Sequence, residues 1–97
     1  MKAKKLLTNT EIASFCTQMS LLLNAGITPA DGMSILLQDT KSGEGREILS
    51  TIQAACNNGE SFYLAIKKTD VFPSYVLNMI AIGEESGNLD VVMKSLA

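Results

Sequence analysis

Residues 8–29 read TNTEIASFCTQMSLLLNAGITP, and this stretch decides the fold. Ile12, Phe15, Cys16, Met19, Leu22 and Leu23 recur at spacings of three and four, which places them on one face of an α-helix. Thr8 and Glu11 stand in front of that stripe in the pattern of a capping box, where each side chain serves the other's backbone N–H. Gly26 supplies a left-handed stop. Thr28 then offers a cap, and Pro29 takes the first helical position, where its missing N–H costs nothing. The unit is a helix over about residues 9–25, a glycine stop, a polar cap and a second helix.

The same punctuation recurs downstream. Gly59-Glu60-Ser61 separates a helix carrying Ile48, Leu49, Ile52, Ala55 and Cys56 from a short one carrying Phe62, Ala65 and Ile66. Gly87-Asn88 separates a helix opened by Pro73 from one carrying Leu89, Val92, Met93 and Leu96, with Asn88 as its expected cap. Between these pairs lie a polar loop, Thr40 to Gly45, and a break at Thr69 to Phe72. Short links favour antiparallel neighbours. The expected fold is all-α, a six-helix bundle built from three antiparallel helical hairpins. The fifth helix, with Val76, Leu77, Met79, Ile80 and Ile82, is apolar over more than half its circumference and is expected to be the central one.

Composition agrees with one domain. The chain has 97 residues, of which 46% are apolar, enough for a single core and too many for a disordered tail. Trp is absent and aromatics are 5%, so the core must come from aliphatic side chains and methionine. Met19, Met33, Met79 and Met93 are read as gap-filling core. A net charge of −2 argues against a nucleic-acid partner, which requires a basic face. The basic residues Lys2, Lys4 and Lys5 could sit near anionic lipid, but three fall short of the usual polybasic count, so residues 1–8 read as a flexible basic N-terminus, with the folded domain at 9–97. No run reaches the roughly 18 apolar residues of a membrane span, and no signal peptide is present, so this stretch by itself is expected to be soluble. The last stripe is still in phase at Ala97, as expected of a piece of a longer protein.

The residues needed for catalysis are missing. There is no histidine to activate a serine or cysteine. Gly43-Glu44-Gly45 is too short for a phosphate loop, and its glutamate would repel phosphate. Cys16 and Cys56 lie on apolar stripes and read as reduced, buried thiols rather than a disulfide or metal pair. Glu84, Glu85 and Asp90 read as capping, helix or partner contacts in preference to a cation site, since they lack the spacing of a calcium loop. No catalytic, cofactor-binding or metal residues are assigned, and no cofactor is expected. Gly83, inside a helix at a cost of about 1 kcal/mol relative to alanine, implies a close backbone approach, either within the domain or to another subunit.

These residues carry a resemblance. Phe15 to Pro29, with its phenylalanine, Gln18, leucine-rich run, Gly26 and Pro29, resembles the opening of the type II secretion F domain. Asn58-Gly59-Glu60-Ser61-Phe62 resembles that family's central turn. Phe72-Pro73, followed one helix later by Gly83-Glu84-Glu85-Ser86-Gly87-Asn88-Leu89, resembles its most distinctive signature. Thr17 departs from the arginine that many members carry there. The likeness spans about Glu11 to Ala97. It implies a non-catalytic cytoplasmic domain of an inner-membrane platform protein for type II secretion or type IV pilus assembly, present in two copies per protein. The present copy looks more like the N-terminal one. Its implied partners are the assembly or secretion ATPase, other platform or pilus-assembly subunits, and itself. Its implied place is the cytoplasmic face of the bacterial inner membrane. The resemblance makes Gln18, Gly26, Pro29, Gly59, Phe72, Pro73, Gly83, Glu84, Gly87 and Leu89 the candidate motif or interaction residues. A soluble helical adaptor is the rival reading, and the sequence beyond Ala97 would separate the two.

Overall fold

The computed structural model describes residues 6–40 and 43–97. Six helices follow in order: α1 (Asn9–Asn24), α2 (Pro29–Asp39), α3 (Glu44–Asn57), α4 (Phe62–Lys68), α5 (Ser74–Ser86) and α6 (Leu89–Leu96). Among the described residues there is no strand.

The helix ends follow local chemistry. Thr8 Oγ1 accepts the Glu11 N–H at 3.1 Å, and Glu11 Oε1 accepts the Thr8 N–H at 2.8 Å, completing the capping box. Thr28 and Ser61 cap α2 and α4 by accepting the N–H groups of Asp31 and Leu64. At the other ends, Gly26, Gly59 and Gly87 have φ of 85°, 89° and 75°. The residue after each glycine donates its N–H back to a carbonyl five residues earlier: Ile27 to Leu22, Glu60 to Ala55 and Asn88 to Gly83. That bond is the mark of the Schellman turn, which satisfies carbonyls the helix leaves open.

Three expectations change. Asn88 does not cap α6: with φ −119° and ψ 34° it lacks the extended backbone a capping side chain needs, and its amide donates to Ser86 Oγ instead. One residue between the Gly87 stop and α6 leaves no room to extend. The loop before α3 is shorter than expected, because Gly43, at φ 91°, stands directly before a helix that begins at Glu44. Third, α5 is not central. It packs on α4 and α6 and leaves Ile82 60% and Tyr75 52% exposed.

Each helix packs on the next in the chain, and α6 closes on α1, so the six form a ring. This arrangement fits three hairpins, with one addition: the most extensive contact joins the first and last helices. One apolar cluster fills the ring, drawing on every helix and on Val71 and Phe72 of the α4–α5 link. Met19, Met33 and Met93 are fully buried within it, while Met79 is half-buried at the edge. Lys2, Lys4 and Lys5 lie outside the described residues. Within the segment expected to be flexible, Leu7 packs against the core and donates its N–H to the Val71 carbonyl at 2.8 Å. No helix among the described residues is long and apolar enough to cross a membrane.

Candidate functional site

The signature at residues 83–89 is spent on joining helices. Gly83 is buried where α6 crosses α5. A Cβ there would stand 2.8 Å from Val92 Cγ2 and 3.2 Å from the Leu89 Cα, so only glycine admits this approach. Of the two readings of Gly83, packing within the domain is the one seen.

Glu84, the next residue, turns toward α4. Its carboxylate oxygens accept the N–H groups of Phe62 and Tyr63, each at 2.8 Å. Those amides belong to the first turn of α4, which leaves its N–H groups without helical partners and carries a partial positive charge. Ser61 satisfies a third amide locally. A residue on one helix therefore caps another, across more than twenty positions of sequence. Pro29, at the start of α2, borders the same hollow as Glu60, Ser61, Phe62 and Glu84.

A basic counterpart lies elsewhere. The Arg46 guanidinium, from the first turn of α3, donates to the Leu37 carbonyl at 2.7 Å and the Thr40 carbonyl at 2.8 Å. It closes the C-terminal end of α2, where positive charge is favoured. The sequence reading missed Arg46. Its signal was its misplacement: a cation in a helix's first turn is unfavourable unless it serves a neighbour.

The other motif residues take separate places. Phe72 is buried and tilts against Phe15, ring centres 5.6 Å apart. Pro73 stands before α5, and its carbonyl accepts the N–H groups of Val76 and Leu77. Gln18 is exposed along an open groove of about 390 Å³ between α1 and α3, with Leu36, Ile48 and Phe72 in its walls. Leu89, half-buried, packs on the core at the start of α6. The structure therefore gathers Pro29, Gly83, Glu84, Gly87 and Leu89 around one hollow at the end of α5, with Gly59 just ahead of the start of α4, and leaves Gln18 apart.

Both thiols are free. Burial pushes the Cys16 thiol up to about 11. Cys56 is pushed up by burial and then by the Glu84 and Glu60 carboxylates. Both are held as neutral thiols near pH 7, which suppresses the nucleophilic form. Among the described residues, no three His, Cys, Asp or Glu side chains gather to hold a metal ion. Glu84 has its oxygens on backbone amides, while Glu85 is exposed beside it.

Comparison with known proteins adds a second line. A family model described as type II secretion system (T2SS), protein F, matches residues 15–97. A type IV pilus assembly protein PilC of Thermus thermophilus is 32% identical over 87 residues, covering 90% of this chain and 21% of its own. The protein transport protein HofC homolog of Escherichia coli is 29% identical over 92 residues, covering 95% of this chain and 23% of its own. A type II secretion system protein F of Aeromonas hydrophila is 29% identical over 85 residues, covering 88% of this chain and 22% of its own. The chain thus spans about a fifth of the length of these curated relatives.

Proposed function

The chain belongs to the type II secretion system protein F family, and from that premise we propose that it is a non-catalytic helical domain of an inner-membrane platform protein. In this reading the domain lies on the cytoplasmic face. It supports assembly of a pilus or pseudopilus, or protein secretion, by coupling an assembly ATPase to the membrane complex. It also contacts other platform or pilus-assembly subunits and further copies of itself. The observation that carries the reading is the match across residues 15–97, which contains all three signatures in order. The geometry supports a part that passes on force: the signature residues lock helices to one another, and a closely packed interior transmits strain.

The signature also indicates where a partner would sit. Gly83 and Glu84 are occupied inside the fold, so the contact surface is sought on the outward side of α5, at Ile82 and Glu85. The test uses the full-length protein that carries this domain. Ile82→Lys and Glu85→Lys are each assayed for co-purification with the assembly ATPase and for pilus or secretion output. Loss of capture with an unchanged circular-dichroism spectrum is expected. Wild-type capture and output in both folded variants would exclude this face.

A further inference from the structure

We propose that the ring consists of two three-helix halves, α2–α3–α4 and α5–α6–α1, which slide along the seam between them, where helix contacts are sparsest, and that Glu84 latches this seam. This inference concerns the domain's own mechanics and does not rest on the partner assigned above.

Two observations converge on the seam. Around the ring, the sparsest contacts between neighbouring helices are α1 with α2 and α4 with α5, and these two contacts are the boundaries between the halves. The surface hollows follow the same line. The groove beside Gln18 has Phe15 of α1 on one side and Ile48 of α3 on the other. The hollow at Pro29 and Ser61 is closed by Glu84 of α5. Its neighbours pair Tyr63 with Glu85, and Pro29 with Leu23 and Asp90. Every one of these hollows has walls from both halves. Polar fastenings lie both within a half and across the seam. The α2–α3 contact is secured twice, by Arg46 on the Leu37 and Thr40 carbonyls and by Gln53 on the Ser34 hydroxyl. Between α4 and α5 the helix-to-helix fastening is Glu84 on the Phe62 and Tyr63 amides.

The apolar filling of the seam suits movement. On the α1–α2 side, the Met19 sulfur and methyl lie 3.3 Å from where a Gly32 Cβ would be, so a thioether occupies the space beside a helix with no side chain. Methionine refills irregular gaps at low cost. The core is continuous across the seam, so the halves are not separate domains, and the motion is a shear of packed helices rather than a hinge. While Glu84 holds both amides, displacing α4 along α5 leaves an anion and two N–H groups unpaired. That penalty makes Glu84 the latch.

Native-state hydrogen exchange on the 97-residue chain, at low denaturant, tests this. Opening at the seam, read at Phe62 and Tyr63, should depend little on denaturant, since sliding exposes little surface, while the slow amides inside each half open with the full dependence of unfolding. Glu84→Gln keeps the shape but removes the charge and one acceptor. It should lower protection at Phe62 and Tyr63 by about 10- to 100-fold, the range of one lost charged hydrogen bond, and leave Cys16 and Met93 within a few-fold of wild type. Exchange of Phe62 and Tyr63 only through the fully denaturant-dependent opening in the wild type would overturn the proposal. So would an equal loss of protection in both halves on Glu84→Gln. If that variant does not fold, the wild-type pattern decides alone.

Discussion

Adding one methyl group at Gly83 measures how tightly α6 is held on α5. In Gly83→Ala the new Cβ would lie 2.8 Å from Val92 Cγ2, 3.1 Å from Val92 Cβ and 3.2 Å from the Leu89 Cα. The neighbours cannot easily yield. Val92 is buried and β-branched, with essentially one side-chain rotamer in a helix. The Leu89 contact is backbone, so relief requires moving α6 itself, and α6 also carries the extensive contact to α1. Overpacking of this kind costs about 1–3 kcal/mol, with backbone involvement placing it at the upper end. Against it stands the gain of about 1 kcal/mol from replacing a mid-helix glycine by alanine. The clash wins, and the variant should lose about 2 kcal/mol, a fall in Tm of roughly 8–16 °C for a domain of this size. Urea and thermal unfolding followed by circular dichroism at 222 nm provide the measurement. Val92→Ala removes the nearest of the three close atoms, Cγ2, while Cβ and the Leu89 Cα stay, so Gly83→Ala should cost less in that background, by about 1 kcal/mol. A Gly83→Ala protein as stable as wild type, or more so, would refute the argument from close approach.

Gly26→Ala is expected to behave differently: nothing lies within 4 Å of its Cβ position, so only the left-handed backbone at φ 85° is penalised, by about 1–2 kcal/mol. Gly26→Asn should cost less than Gly26→Ala by the same unfolding assay, since asparagine tolerates that conformation better. Arg46→Met should lower stability by about 1 kcal/mol in urea titrations, a modest value because the side chain is exposed while its two bonds close the α2 end. Burial favours the neutral Cys16 thiol, whose ordinary value of 9.0 rises to about 11 in the folded chain. The unfolded chain therefore releases this proton first. The stability contribution is complete below pH 9, declines from there to about pH 11, and amounts to roughly 2 kcal/mol. Cys16→Ala should flatten stability against pH in that window, and a slope identical to wild type would remove Cys16 as its source.

What could be read from the chain depended on how far each interaction reaches along it. The Thr8–Glu11 box, the caps at Thr28 and Ser61 and the stops at Gly26, Gly59 and Gly87 involve residues within about five positions, and all were visible as patterns. Asn88 failed as a cap because composition names a capable side chain but not the backbone angle one residue after a left-handed glycine. The apolar girth of α5 suggested a central helix, yet Ile82 and Tyr75 face outward, since hydrophobicity does not reveal which neighbours exist to cover it. Glu84 carried a motif in the sequence without a role. Its role depends on the start of α4, more than twenty residues away, and only the folded ring brings the two together. Gly83 was legible as a close approach but not as to what approaches.

The pairing of α1 with α6 has a consequence during synthesis. Ile12, Cys16 and Met19 leave the ribosome well before α6, the helix that covers much of α1 and the last of the six to emerge. At ordinary translation rates the interval is on the order of 10 s. Through that interval the buried face of the first helix stays open to chaperones, proteases or other nascent chains. A transcript cut short before Leu89 should therefore yield an insoluble or rapidly degraded product, not a smaller folded bundle.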